Sequence, residues 1–122
     1  NPVMAARIIE IGHAKLSLPF MQVLSKGILC NILVSLAVWF SVASKDATGK
    51  ILGCWFPVML FVLCGYEHVV ANMFYLPMAS LLDSSINFAD MTINSLIPAA
   101  IGNYIGGGLI IPLIYNKIYF KD

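Results

Sequence analysis

Residues 51–82 form an almost wholly apolar stretch of 32 residues, yet Glu67, His68 and Asn72 sit near its middle. As one helix it would rise about 48 Å, well beyond the roughly 30 Å hydrocarbon core of a bilayer. It must tilt, protrude or break. The break signals cluster at Gly65 and the three polar side chains, and Pro57 and Pro77 each remove a backbone donor on either side. The predicted arrangement is two half-helices, about 51–65 and 70–82, around a turn at 66–69. At membrane depth a discontinuous helix is tolerated only where protein buries it or where it lines a watery cavity. An ionisable side chain there marks a path for ions, protons or substrate.

Composition argues that the setting is lipid. The chain is 60% hydrophobic and 11% charged, whereas an average soluble domain is roughly 45–50% apolar and about 25% charged. A 122-residue globule has too much surface to cover with so few charges. A net charge of +1 gives no electrostatic case for nucleic acid. Cys30, Cys54 and Cys64 lie in apolar runs without metal-ligand spacing and read as buried free thiols. No cofactor or metal is expected. The sequence opens on Asn1 with no signal-peptide pattern, which fits a fragment of a longer chain.

Residues 1–18 read as an amphipathic surface helix, with Asn1 as N-cap and Pro2 at the first helical position. Arg7, Glu10, His13 and Ser17 fall on one face, and Met4, Ile8 and Ile11 on the other. Pro19 closes it. A spanning helix follows over 19–44, with Asn31 as its one strongly polar interior residue, and then a short polar loop, 44–50. Residues 83–96, DSSINFADMTINSL, read as a polar loop. A last span is predicted over 97–120, where Gly102 and Gly106 permit close backbone approach to a neighbouring helix. The fold class is therefore all-α and integral to the membrane, with three spanning segments of which one is broken. Trp39 and Trp55, near span ends, fit interfacial anchors. Two lysines in 44–50, two in 116–122 and none in 83–96 place the first two segments and the C-terminus in the cytosol, although Arg7, Lys15 and Lys26 pull the other way.

Three motifs, LCNILVSLAVW (29–39), GYEHVVANMF (65–74) and IPAAIGNYIGGGLI (97–110), closely resemble the formate/nitrite transporter family of pentameric channels. They occur in order and at family-like spacing. The resemblance implies an aquaporin-like fold of six spans in two inverted repeats, of which this chain resembles the second. It implies a first repeat as partner, a homopentamer in the cell membrane, and a cargo of small weak-acid anions such as formate, nitrite or hydrosulfide, together with protons. It also implies roles: His68 as the central pore histidine, Glu67 as its acidic neighbour, Asn72 as a pore asparagine, and Asn31 as the asparagine of the preceding span. Lys15 matches the vestibule lysine, Phe61 a pore-narrowing aromatic and Val34 an apolar constriction residue.

The chemistry suits such a cargo. A bare anion in a narrow apolar constriction is very costly, so the site must offer donors and positive potential, or the anion must cross as its neutral acid. Histidine serves either route. The expected sequence of events is attraction at Lys15, dry gates at Phe61 and Val34, and proton sharing with His68 and Asn72 between them. Plainer readings stand beside these. His68 can simply cap a half-helix, Glu67 can accept from backbone donors freed at the break, Asn31 can be interhelical glue, Lys15 an ordinary interfacial lysine, and Phe61 a core or lipid-facing side chain. A hydrosulfide channel on the same scaffold is the nearest alternative. A neutral-solute pore would carry Asn-Pro-Ala tips, which the sequence lacks, and a membrane enzyme would need a nucleophile or metal-ligand set beside Glu67 and His68. A non-transporting interaction module is the remaining class.

Overall fold

The computed structural model describes residues 1–120, all helix and connecting turns. Lys121, counted above in the C-terminal tail, lies outside the described residues. The elements are α1 (Pro2–Leu16), α2 (Phe20–Ala43), α3 (Ala47–Leu63), α4 (Val69–Leu82) and a long α5 (Phe88–Tyr119). Asn1 caps α1 by accepting from the Val3 amide, and Pro19 stands at the N-cap of α2. Asp46 caps α3 by accepting from Gly49, which shortens the expected 44–50 loop to three residues. α2 and α5 are long and apolar enough to cross a membrane; α3 and α4 are shorter apolar helices.

The largest departure from the sequence reading is the start of α5. The polar run 83–96 is loop only to Asn87, whose side chain accepts from the Asp90 amide and starts the helix at Phe88, nine residues before Ile97. Thr92 returns its hydroxyl to the Phe88 carbonyl, and Ser95 is fully buried, so these polar residues are absorbed by the helix. Two turns of α5 are π-type, Thr92–Leu96 and Tyr104–Ile110, each closing on the residue just before a proline. Ile97 donates to Thr92 O and Ile111 to Gly106 O, one residue further back than an α-helix would use. Pro98 and Pro112 have no N–H, and their rings displace the carbonyl four residues back, so the preceding turn widens.

α2 packs against α3 and along α5, and α1 packs against α4. Gly102 and Gly106 face α2 as their spacing predicts: a Cβ at Gly106 would collide with the Ile28 carbonyl, and one at Gly102 with the Leu24 carbonyl. A small core of Leu76, Ala79, Ile86 and Met91, joined by Ile8, Leu16 and Leu96, ties α1 to α4 and the start of α5. Gly12 lets the helices meet there, directly opposite Ala79. Outward faces remain apolar, with Val38, Val42, Leu63, Leu81 and Leu113 all exposed. Cys54 and Cys64 lie on these exposed faces; only Cys30 is buried as expected, because the second apolar stretch turns much of its circumference outward.

At the loop between α4 and α5, His13 Nε2 donates to Asp83 Oδ2 at 2.8 Å, a second tether for α1. The bond from His13, with those from Ser85, holds the Asp83 carboxyl down at about 2.

Candidate functional site at the helix break

The break is built from local signals. α3 ends at Leu63; the Gly65 amide bonds Val62 O, the Tyr66 amide bonds Phe61 O, and Gly65 takes a left-handed φ of 61°, which no other described residue does. That conformation disfavours any residue with a Cβ. Residues 66–68 are non-helical, with His68 extended, and α4 starts at Val69. His68 is the N-cap: its Nδ1 accepts from the Ala71 amide at 3.3 Å. The residues between the two helices are thus 64–68, where the sequence reading had a turn at 66–69.

Around the break five predicted residues converge. Glu67 is 3% exposed, and its carboxylate accepts from Lys15 Nζ at 2.9 and 3.0 Å and from Asn72 Nδ2 at 2.6 Å. These partners are side chains rather than the freed backbone donors that sequence reasoning offered. Lys15 arrives from the last turn of α1, so its ammonium is engaged with Glu67 instead of standing alone at a vestibule. An ammonium has three donors and Glu67 uses two, which leaves one. Asn72 is fully buried and also donates to Ser95 Oγ at 3.0 Å, while its Oδ1 has no partner among the described residues. His68 is half-buried, and its ring stacks on Phe61 with centroids 5.7 Å apart and planes 17° apart. Among the described residues nothing bonds its Nε2.

Asn31 and Val34 are placed elsewhere. They line a groove of about 620 Å³ between α2 and the C-terminal half of α5, with Ser35, Trp39 and Tyr115. Asn31 Nδ2 donates to the Asn103 carbonyl at 2.8 Å, in line with the plainer reading of Asn31 as interhelical glue.

Sequence reasoning missed Asn103. This residue is 5% exposed, and its Nδ2 donates to Gly27 O and Glu67 O, both at 2.9 Å, while its Oδ1 accepts from the Val69 amide at 3.0 Å. The available signal was an amide at Asn103 in the apolar, glycine-rich part of the last span, where a polar group must find partners inside the protein. Ser95 was missed because its surroundings read as loop.

Long apolar helices beside an interrupted element, with ionisable groups gathered at the break, are the arrangement expected of a membrane protein. The chain belongs to the formate/nitrite transporter family, whose sequence profile matches residues 1–116. It is 48% identical over 115 residues to the uncharacterized transporter YrhG of Bacillus subtilis, covering 94% of this chain and 42% of that protein. It is 39% identical over 117 residues to a probable formate transporter of Methanothermobacter thermautotrophicus, covering 96% and 42%. A solved pentameric formate channel with formate bound superposes with a TM-score of 0.84 at 34% identity, covering 96% of this chain and 53% of that one. The chain thus spans roughly half, or somewhat less, of the length of these relatives. It is a membrane protein of a transporter and channel family, as the three motifs imply.

Proposed function

We propose that this chain supplies one half of a transmembrane pathway for small monovalent anions of weak acids, formate and nitrite first among them. In this reading α3 and α4 together make a third crossing, and a preceding inverted repeat completes the pore. The C-terminus is cytoplasmic, and the assembled protein is a homopentamer in the cell membrane. Family membership and the likeness to a formate channel support the cargo class.

The observation that carries the reading is the hydrogen bonding of His68. With Nδ1 accepting from Ala71, the neutral ring holds its proton on Nε2, the nitrogen that has no partner among the described residues. That N–H is available to an anion at the break. Proton sharing needs the imidazolium, which must give up the Nδ1 bond; at 3.3 Å this bond is long and weak. Phe61 stacked on the ring narrows the approach, and Val34 forms the apolar constriction on the groove side. Asn72 and Lys15 hold Glu67, and the third ammonium donor of Lys15 attracts the anion. Asn31 offers a polar step beyond the break.

The test is formate and nitrite flux in liposomes for wild type, His68→Ala and His68→Asn. Asparagine is a good N-cap, so it keeps the helix start while removing the imidazole. Both variants are expected to lose most pH-dependent flux. Undiminished pH-dependent flux in folded His68→Asn sinks the proposal. Hydrosulfide and glycerol in the same assay separate the alternative cargoes.

A further inference from the structure

We infer that Asn103 is the positioning residue of the break, fixing with one side chain the direction in which the His68 ring points. The claim rests on the transport reading for its functional consequence, not for its geometry. Glu67 O belongs to the peptide before His68 and Val69 N to the peptide after it, and the Asn103 amide holds both, at 2.9 and 3.0 Å. Two peptide planes pinned on either side of one Cα leave its φ and ψ no freedom, and His68 is held at −104° and 117°. The ring direction then follows from a restricted set of side-chain rotamers.

The anchor is itself anchored. The second Nδ2 proton goes to Gly27 O on α2, and the Asn103 backbone carbonyl accepts from Asn31 Nδ2. Both amide protons and the amide oxygen are therefore used, and the side chain has no rotational slack. The arrangement needs Gly27, since a Cβ there would lie 3.0 Å from the Ala99 carbonyl and 3.3 Å from Asn103 Nδ2. Without Asn103 the Val69 amide becomes one of the orphan donors at the start of α4, and Glu67 O loses its partner, in surroundings that supply little water. Displacement of a reacting group by about 1 Å can lower a rate by two orders of magnitude.

The experiment combines amide hydrogen exchange with flux in the assembled protein. In the wild type the Val69 amide should exchange as slowly as amides inside α4; fast exchange there overturns the inference before any variant is made. Asn103→Leu keeps the branched shape and removes every side-chain bond. Asn103→Asp keeps the acceptor for Val69 when ionised, and regains one donor when protonated. Both should speed exchange across residues 66–72 and lower formate flux about tenfold or more near neutral pH. Relative to wild type, Asn103→Asp should recover severalfold between about pH 7 and pH 5, while Asn103→Leu should not. A merely structural role predicts no such difference in pH profile, and parallel profiles for the two variants overturn the claim. If Asn103→Leu does not assemble, the titration of Asn103→Asp decides. If the wild type carries neither formate nor nitrite, the transport reading fails and exchange at residues 66–72 alone decides whether Asn103 positions the break.

Discussion

The ammonium of Lys15 grips both carboxylate oxygens of Glu67 across 52 residues of sequence, joining the first helix to the interruption. Glu67 is almost fully buried, so removing its counter-charge leaves an uncompensated carboxylate. Lys15→Ala is expected to destabilise the protein by about 3 kcal/mol, whereas Lys15→Met combined with Glu67→Gln should lose much less. Denaturant unfolding of Lys15→Met, Glu67→Gln and the double gives the coupling energy. Additive losses would show that the pair contributes nothing.

Asp83 gives a pH signature of its own. Its folded-state value is about 2 against an ordinary 3.8. The sign for a depressed carboxylate is fixed: its contribution is complete above the ordinary value and disappears as pH falls toward 2. The difference in melting temperature between wild type and Asp83→Asn should therefore be constant at neutral pH and shrink between about pH 4 and pH 2. His13→Gln should show a smaller version of the same trend, because a neutral donor remains. A difference that widens on acidification contradicts the assignment.

Two glycines in this chain are needed for opposite reasons, and alanine tells them apart. A methyl group at Gly65 would meet nothing within 4 Å, but the residue sits at positive φ. Gly65→Ala should therefore cost only about 1–2 kcal/mol, the strain of a left-handed residue. Gly106, in the π-type turn, has no left-handed φ, but a methyl there runs into the Ile28 carbonyl. Gly106→Ala must separate α2 from α5 and should be the more damaging change by a wide margin, read as yield and melting temperature of the assembled protein. Equal tolerance of both changes contradicts the packing.

Asn31→Leu removes the donor that satisfies the Asn103 carbonyl. That carbonyl is also the N-cap acceptor of the π-type turn, so the change removes one hydrogen bond rather than orphaning a group, and a loss of about 0.5–1.5 kcal/mol is expected on unfolding. Gly107→Ala should reproduce part of it, since the new methyl would come within 2.5 Å of Asn31 Nδ2. Stability unchanged in both variants contradicts the contact.

What could be read in advance was local. Asn1 before Pro2, Pro19 at the head of α2 and Gly65 beside charged residues in an apolar run are signals that act within a few positions, and each falls where the helices begin or end. The start of α5 was misread because Asn87, Thr92 and Ser95 are polar; a cap, a back-bonded hydroxyl and a buried hydroxyl look like loop until their partners are known. The Lys15–Glu67 pair and the four bonds of Asn103 join residues 34 to 76 positions apart, and no periodicity reports them. His68, Glu67 and Asn72 were legible as a cluster, but not that Asn72 and Glu67 would bond each other while the imidazole capped its own helix.

The widened turn at 104–110 has a bearing on how this scaffold can change length. A π turn holds one residue more than the α-helical turn it replaces, so it stores an insertion without rotating what lies beyond it. Dropping a single residue there should tighten the helix locally and leave the surfaces above and below facing the same neighbours. Indels in kindred chains should therefore collect just ahead of the two prolines, where the helix already carries the spare residue, and be absent from the evenly wound turns between them.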